Sequence, residues 1–275
     1  KNIIEPFAKL TKKIIDTRPS MAPLTNLFGF LITDSENLTK KEVLSNLKYF
    51  NDIWTDINQK IEENFTKYLL SLPNSRNRAK IMLISYSSTI NRGLENLKSE
   101  NIEVFVLESR PLFEGRRSAK RLSKKFKTYL IVDMAFGYFI DSIDLVLVGI
   151  DSILKDGTLI NKIGTYPLSV VSRENDVEVY AIGSSLKYNL KSHFNLDVLI
   201  EEKDKNEILD SDIKNVEVQN FYFDKTPPQY ISGIISDLGV LSVNKFLEAI
   251  KGKLNFKWFS QILKIDNNNF KKQLK

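Results

Sequence analysis

The sequence predicts an α/β protein: a helical N-terminal part followed by a parallel sheet with crossover helices. Three observations carry that reading. Apolar side chains recur at three- and four-residue spacings through the first seventy residues. From Lys80 onward, short β-rich runs alternate with helical stretches, the pattern of strands joined by helices. Between the two regimes lies Pro73-Asn74-Ser75-Arg76-Asn77-Arg78, polar and rich in helix breakers. The division falls there, giving a helical domain over 1–75 and an α/β domain over 76–275.

In the first part, Ile3, Ile4, Phe7, Leu10, Ile14 and Ile15 mark one helix, interrupted early by Pro6 and broken by Thr17-Arg18-Pro19-Ser20. Leu24, Leu27, Phe28 and Leu31 mark a second between Met21 and Ile32. Thr39 and Glu42 form a capping box, which launches the strongest periodicity of the chain: Val43, Leu47, Phe50, Trp54, Ile57, Ile61, Phe65 and Leu69. That stripe predicts one long helix packed on neighbouring helices. Strands follow at 81–85, 102–107, 129–132, 145–148 and 177–182. Helices are expected over 89–97, 115–126, near Ala135 and over 164–173, with a last short one from Ser242 to Ile250. The Lys- and Asn-rich end after Ile265 is expected to fray.

Composition narrows the chemistry. The 275 residues are 42% hydrophobic and 27% charged, with no cysteine and one histidine. Disulfides, thiolate metal sites and a Cys nucleophile are therefore excluded, as are multi-histidine metal sites, and a Ser-His-Asp triad would depend on His193 alone. No cofactor is expected. No apolar run approaches the roughly 20 residues of a membrane span, and no secretory signal opens the chain, so a cytoplasmic location is expected. The net charge of +6 favours acidic partners only weakly.

Four loops follow the C-terminal ends of predicted strands and share one edge of the sheet, where open α/β sheets hold ligands. Tyr86-Ser87-Ser88-Thr89 offers hydroxyls and helix N-H groups; plain capping explains it as well. Glu108-Ser109-Arg110-Pro111, with Glu114-Gly115-Arg116 behind it, suits anion binding or a surface salt bridge. Asp133-Met134-Ala135 is the third. The fourth, Gly149 to Thr165, crowds Asp151, the turn dipeptide Asp156-Gly157, Asn161-Lys162 and Gly164-Thr165 into one short loop, the inventory of a phosphorylated-ligand pocket. A solvated turn remains open. The cations Arg116, Arg117, Lys120, Arg121, Lys124, Lys125 and Lys127 sit on or beside one helix: a solvated face, with RNA contact the alternative.

Taken in order, ISYSST, VLESRP with EG, IVDMA, VGIDSILKDGTLINKIGT and FDKTPPQYI resemble the family that holds the alpha, beta and delta regulatory subunits of eukaryotic translation initiation factor 2B. That family also holds archaeal relatives and two sugar-phosphate isomerases, acting on methylthioribose phosphate and ribose bisphosphate. Thr17 to Ala22 is similar to the family's N-terminal Arg motif. The resemblance implies a helical N-terminal domain, a Rossmann-like C-terminal domain, a pocket between them, and assembly into dimers or larger rings.

It also implies site residues. Asp151 matches the catalytic Asp of the isomerases, but their Cys falls on Tyr86, and the preceding His on Ser85. A phenol with a pKa of about 10 is a poor replacement for a thiol of about 8.5. The ligand-holding positions are kept at Arg18, Ser20, Ser88, Thr89, Arg110, Asn161, Lys162 and Lys187. Retained clamps without the thiol point to a non-catalytic, factor 2B-like subunit. It would bind a nucleotide or sugar phosphate and contact a translation partner such as the alpha subunit of initiation factor 2. The alternative is an aldose-ketose isomerase with Asp151 as acid and a base other than Cys.

Overall fold

The computed structural model describes residues 3–18, 20–31, 38–72, 79–98, 101–211, 213–251 and 253. The breaker stretch at 73–78 and the Lys/Asn-rich end lie outside them.

Three helices come first: α1 (Ile4–Asp16), α2 (Ala22–Leu31) and α3 (Lys40–Ser71). At the end of α1 the Thr17 hydroxyl donates back to the Ile14 carbonyl at 2.7 Å. The start of α3 is the predicted capping box, in which the Glu42 N-H donates to Thr39 Oγ1 at 3.3 Å and the Thr39 N-H donates to Glu42 Oε2 at 2.7 Å. Its apolar stripe, expected from sequence to pack against neighbouring helices, departs from that expectation. Ile57, Ile61 and Phe65 are buried, and they pack on a face of the sheet through Ile81, Leu83, Leu145 and Ile235, with Ile90 and Leu94 beside them. Near its start, Leu44 and Leu47 remain 55% and 44% exposed. The helix thus covers the sheet with its C-terminal half only.

The sheet elements follow as β1 (Ala79–Ile84), α4 (Ser88–Asn96), β2 (Ile102–Leu107), α5 (Glu114–Leu122), β3 (Lys127–Ile131), α6 (Phe136–Phe139) and β4 (Leu145–Gly149). After them come the short β5 (Ser152–Ile153) and β6 (Leu159–Lys162), then α7 (Thr165–Glu174), β7 (Glu178–Ile182), α8 (Leu190–His193), β8 (Phe223–Thr226), β9 (Gly233–Ser236), β10 (Gly239–Leu241) and α9 (Val243–Lys251). Seven strands form one sheet in the order β10-β9-β7-β4-β1-β2-β3, parallel except for the antiparallel pair of β9 with β10. Every residue of β4 is buried, as is the run Ile81 to Ile84 of β1, because helices cover both faces of these central strands.

One predicted feature changes. The stretch from Gly149 to Thr165 is not a single loop: β5 and β6 pair antiparallel, and β8 adds to β6 in a second, three-stranded sheet. The expected turn at Asp156-Gly157 joins them, with Gly157 at φ +86° and the Thr158 N-H donating to Asp156 Oδ1 at 2.9 Å. Runs of two and four residues are too short to show a period, which is why the pattern reads as loop.

Candidate active site

In the strand order, the chain runs one way from β1 to β2 and β3 and the other way through β4, β7 and β9. At the carboxyl ends of β1 and β4 the direction reverses, and such a reversal leaves a crevice. A cleft of about 200 Å³ occupies it. Its walls are the turn after β1, the turn after β4, Asn161 of β6, and the turn after β7 with Lys187; Trp54 and Asn58 of α3 contribute from the helical side.

The turn after β1 is bent by Ser85, a non-glycine residue at φ +68°. Two bonds hold it there: its N-H donates to Ser109 Oγ at 2.8 Å, and Ser118 Oγ donates to its carbonyl at 2.9 Å. Ser109 is fixed in turn by Asp133, which accepts from the N-H groups of Ser109 (2.6 Å) and Arg110 (2.7 Å). Beyond Ser85, Ser87 Oγ caps α4 by accepting from Ile90 N at 3.3 Å, so Ser88 and Thr89 form the first turn of that helix at the cleft edge. A Cβ on Gly149 would stand 3.3 Å from Asn161 Oδ1 and 3.6 Å from the Ser87 Cβ, which shows how closely the three walls approach.

Asp151 follows β4, and its N-H donates to the Ile160 carbonyl of the β6 region at 3.0 Å. Burial pushes its carboxyl above the usual range, against the pull of Lys187, Arg18 and Lys162, and Glu114 adds a smaller push in the same direction. Burial moves Lys187 the opposite way, below the usual ammonium range, with Asp151 opposing. The turn carrying Lys187 is clamped from two sides. Asp237 accepts from Ser185 N at 2.7 Å and from Ser185 Oγ at 2.8 Å, while Asn26 of α2 donates to the carbonyls of Leu186 (2.5 Å) and Tyr188 (3.0 Å). Nearby, the buried Ser184 Oγ lines the cleft with no hydrogen-bond partner among the described residues.

Of the residues singled out in the sequence, the cleft brings together Tyr86, Ser88, Thr89, Asp151, Asn161 and Lys187. Asn161 and Lys162 separate, because successive side chains on a strand point to opposite faces. Asn161 faces the cleft and donates to Thr165 Oγ1 at 3.0 Å, while Lys162 turns to Glu114 at 3.0 Å. The exposed Arg18 lies close enough for its charge to act on Asp151. Ser20 is buried and donates to Glu201 Oε1 at 3.2 Å. Arg110 stands outside the cleft lining, its guanidinium 5.2 Å from the centroid of the Phe113 ring. Tyr86 lines the cleft, but its hydroxyl accepts from Arg121 Nη1 at 3.0 Å and its ring lies 4.4 Å below the Arg117 guanidinium.

Sequence reasoning passed over Trp54, Asn58 and Ser184. Asn58 carried a usable signal, a polar residue one turn from Trp54 inside the long apolar stripe; its Oδ1 accepts from Arg92 Nη2 at 3.2 Å. Ser184 carried none. Among the described residues, no three His, Cys, Asp or Glu side chains are grouped to hold a metal ion.

Comparison with known proteins places this cleft in context. The ribose 1,5-bisphosphate isomerase of Archaeoglobus fulgidus is 31% identical over 238 residues, 83% of this chain and 74% of that protein. A crystal structure of the translation initiation factor eIF-2B of Pyrococcus horikoshii OT3 superposes with a TM-score of 0.73 at 27% identity, covering 86% of this chain and 82% of that one. The 5-methylthioribose 1-phosphate isomerase of the same organism shares the fold, with a TM-score of 0.61 at 20% identity over 90% of this chain and 88% of its own. Relatives in Methanocaldococcus jannaschii, Haloterrigena turkmenica, Haloferax volcanii and Thermococcus kodakarensis bear the same ribose 1,5-bisphosphate isomerase name as the Archaeoglobus protein. These relatives overturn the expectation of a non-catalytic regulatory subunit drawn from Tyr86, and they favour the isomerase alternative. The sequence model of the initiation factor 2 subunit family matches residues 1–243, and the chain belongs to that family.

Proposed function

We propose that the chain is an aldose-ketose isomerase acting on a sugar 1-phosphate, with Asp151 as the acid and Lys187 as the base that replaces a thiol. One observation carries the reading. Two groups on facing turns of one cleft are pushed in opposite directions, the Asp151 carboxyl toward its protonated form and the Lys187 ammonium toward the free amine. Paired groups driven apart in this way make a protonated acid and an unprotonated base available together. The isomerase names of the archaeal relatives support the reaction class.

The proton balance closes on these two side chains. Asp151 gives its proton to the ring oxygen as the bond from that oxygen to C1 breaks. The Lys187 amine removes the proton on C2, and the electron pair forms a C1-C2 enol. The Asp151 carboxylate then takes the C2 hydroxyl proton while the Lys187 ammonium returns a proton to C1, leaving a ketone at C2 and both side chains in their starting states. The substrate phosphate is received by the first turn of α4 with Ser88 and Thr89, where free N-H groups and the helix dipole favour an anion. Tyr86 is not assigned the base, because Arg121 and Arg117 already engage its hydroxyl and ring.

A homo-oligomeric, cytoplasmic enzyme completes the proposal. The edge strand β3, the turn after it and α6 expose Leu130, Val132, Met134 and Tyr138, surface that a second copy would cover. Elution of the chain at monomer mass in light scattering at micromolar concentration would remove the oligomer. Among the described residues, no helix is long and apolar enough to cross a membrane.

The activity is tested by incubating the chain with ribose 1,5-bisphosphate and, separately, 5-methylthioribose 1-phosphate, following carbon and phosphorus NMR. A ketose phosphate is expected from at least one. Recovery of both aldoses unchanged from folded protein would end the isomerase reading.

A further inference from the structure

One side chain in the cleft wall takes no part in the proton scheme. Ser184 lies in the turn after β7 and is 3% exposed. It holds the cap position of the single 3₁₀ turn Ser185–Lys187, with extended backbone at φ −75° and ψ 156°. A serine there ordinarily accepts from an N-H of the turn it caps, as Ser87 does for α4. Ser184 makes no such bond. Asp237 has taken the Ser185 N-H at 2.7 Å, and the Lys187 N-H goes to the Ser184 carbonyl at 3.0 Å. Among the described residues the Ser184 hydroxyl has no partner, and Ser184 alone of those lining the cleft has a buried side-chain polar atom in that condition. Such a hydroxyl is destabilising until a bonding group meets it.

Strand order indicates which part of a ligand would meet it. β7, β4 and β1 are neighbours in the sheet. The start of α4 with Ser88 and Thr89 follows β1, Asp151 follows β4, and Ser184 and Lys187 follow β7. Two strand spacings, roughly 9–10 Å, separate the first of these turns from the last. With the phosphate at α4 and the ring opening at Asp151, the carbons beyond C1 extend toward the turn after β7. Side chains three residues apart on a 3₁₀ turn lie on the same side, so Ser184 stands beside Lys187, the group assigned to C2. The next hydroxyl along the sugar is that of C3.

We propose that Ser184 is a specificity-determining residue that hydrogen-bonds the C3 hydroxyl of the sugar, through a side chain that the turn leaves uncommitted. A serine hydroxyl is neutral and can both donate and accept, which matches a sugar hydroxyl rather than a phosphate. It turns about one side-chain torsion with three staggered positions, so it can meet a group that enters the cleft. The placement of C3 rests on the isomerase reading. The binding step itself does not.

The experiment is a calorimetric titration of the full chain with ribose 1,5-bisphosphate and with its 3-deoxy analogue, in Asp151→Asn so that no turnover adds heat. Adding Ser184→Ala is expected to raise the Kd of the bisphosphate about three- to tenfold, the worth of one neutral hydrogen bond, and to leave that of the 3-deoxy analogue within about twofold. Equal weakening for both sugars, or none for either, would overturn the proposal, as would failure of the bisphosphate to bind the chain that keeps Ser184. Without ligand, Ser184→Ala should melt at the parent temperature or above it, since an unbonded hydroxyl is removed. A clear drop would show the hydroxyl to be bonded within the protein and would also overturn the proposal. Thr226→Val is the control: Thr226 Oγ1, on β8 and outside the cleft lining, is likewise buried with no partner among the described residues. Its loss is expected to leave both Kd values at the parent level, and a rise matching that of Ser184→Ala would count against the proposal. Binding is read without turnover, so an inactive parent chain that binds the bisphosphate would defeat the isomerase reading while the two sugars still decide the role of Ser184.

Discussion

Gly115→Ala tests how the candidate site is anchored to the sheet. Gly115 sits in the first turn of α5, directly after Glu114, and an added Cβ would stand 1.8 Å from the Leu107 carbonyl oxygen and 2.8 Å from its carbonyl carbon. Carbon and oxygen in close contact keep about 3.3 Å apart, so the helix start must retreat by roughly 1.5 Å. The obstacle is strand backbone, which no rotamer change relieves. The retreat loosens the bond from Gly115 N to the Glu108 carbonyl (3.2 Å) and unseats Ala119 and Leu122 from the core around Phe126. Overpacking typically costs about 1–3 kcal/mol. Rigid backbone on one side puts this case at the upper end, even after the roughly 1 kcal/mol that alanine gains over glycine within a helix. We expect a net loss of about 2–3 kcal/mol, read as a lower urea midpoint in circular dichroism, with Tm lower by roughly 4–12 °C. A variant within about 0.5 kcal/mol of the parent, a difference ordinary for surface substitutions, would refute the reasoning.

Other predictions follow from single groups. Asp224, pushed up to about 6 by burial, accepts from Gly164 N at 2.7 Å and Tyr166 N at 3.1 Å at the start of α7. Because its folded value lies above its unfolded one, its stabilising effect is complete below about pH 4 and is lost as pH rises through 6, on the order of 3 kcal/mol in all. Asp224→Asn should therefore lose more Tm against the parent at pH 4.5 than at pH 7.5; a constant difference would contradict the assignment. Thr39→Ala removes one half of the α3 capping box and should lower stability by about 1 kcal/mol in urea melts, whereas no change would mean the first turn is frayed. Turnover should rise as pH passes the depressed value of Lys187 and fall as it passes the raised value of Asp151. Lys187→Met should remove the activity and with it the rising limb, and a variant that keeps that limb would show the base to be another group.

The sequence made the sheet legible because its central strands are buried on both faces. Ile102 to Leu107 and Leu145 to Val148 are nearly unbroken apolar runs, and β2 falls at the expected residues while β4 runs only one further, to Gly149. Thr39 and Glu42 marked the start of α3 for an equally local reason, since the two halves of the cap lie three residues apart. What could not be read were relations between distant segments. Nothing local says that β8, sixty residues on, pairs with β6, or that the resulting strand turns Lys162 away from Asn161. The residues gathered at the cleft were found through ordered motifs, whereas Trp54 and Ser184 enter it by tertiary placement. The inference from Tyr86 failed for a physical reason: the lost thiol was treated as the loss of any base, although a lysine buried in the same cleft supplies a second candidate.

The most direct test is turnover by the parent chain and Asp151→Asn in parallel, with binding of the same aldose 1-phosphate measured by calorimetry. An amide keeps the shape of the carboxyl and cannot supply the proton. General acid catalysis is worth about 10²–10⁴ in rate. Ketose is expected from the parent, with a loss of at least about a hundredfold in Asp151→Asn and binding retained in both. Equal turnover by the two proteins, or none by the parent despite tight binding, would contradict the proposed reaction.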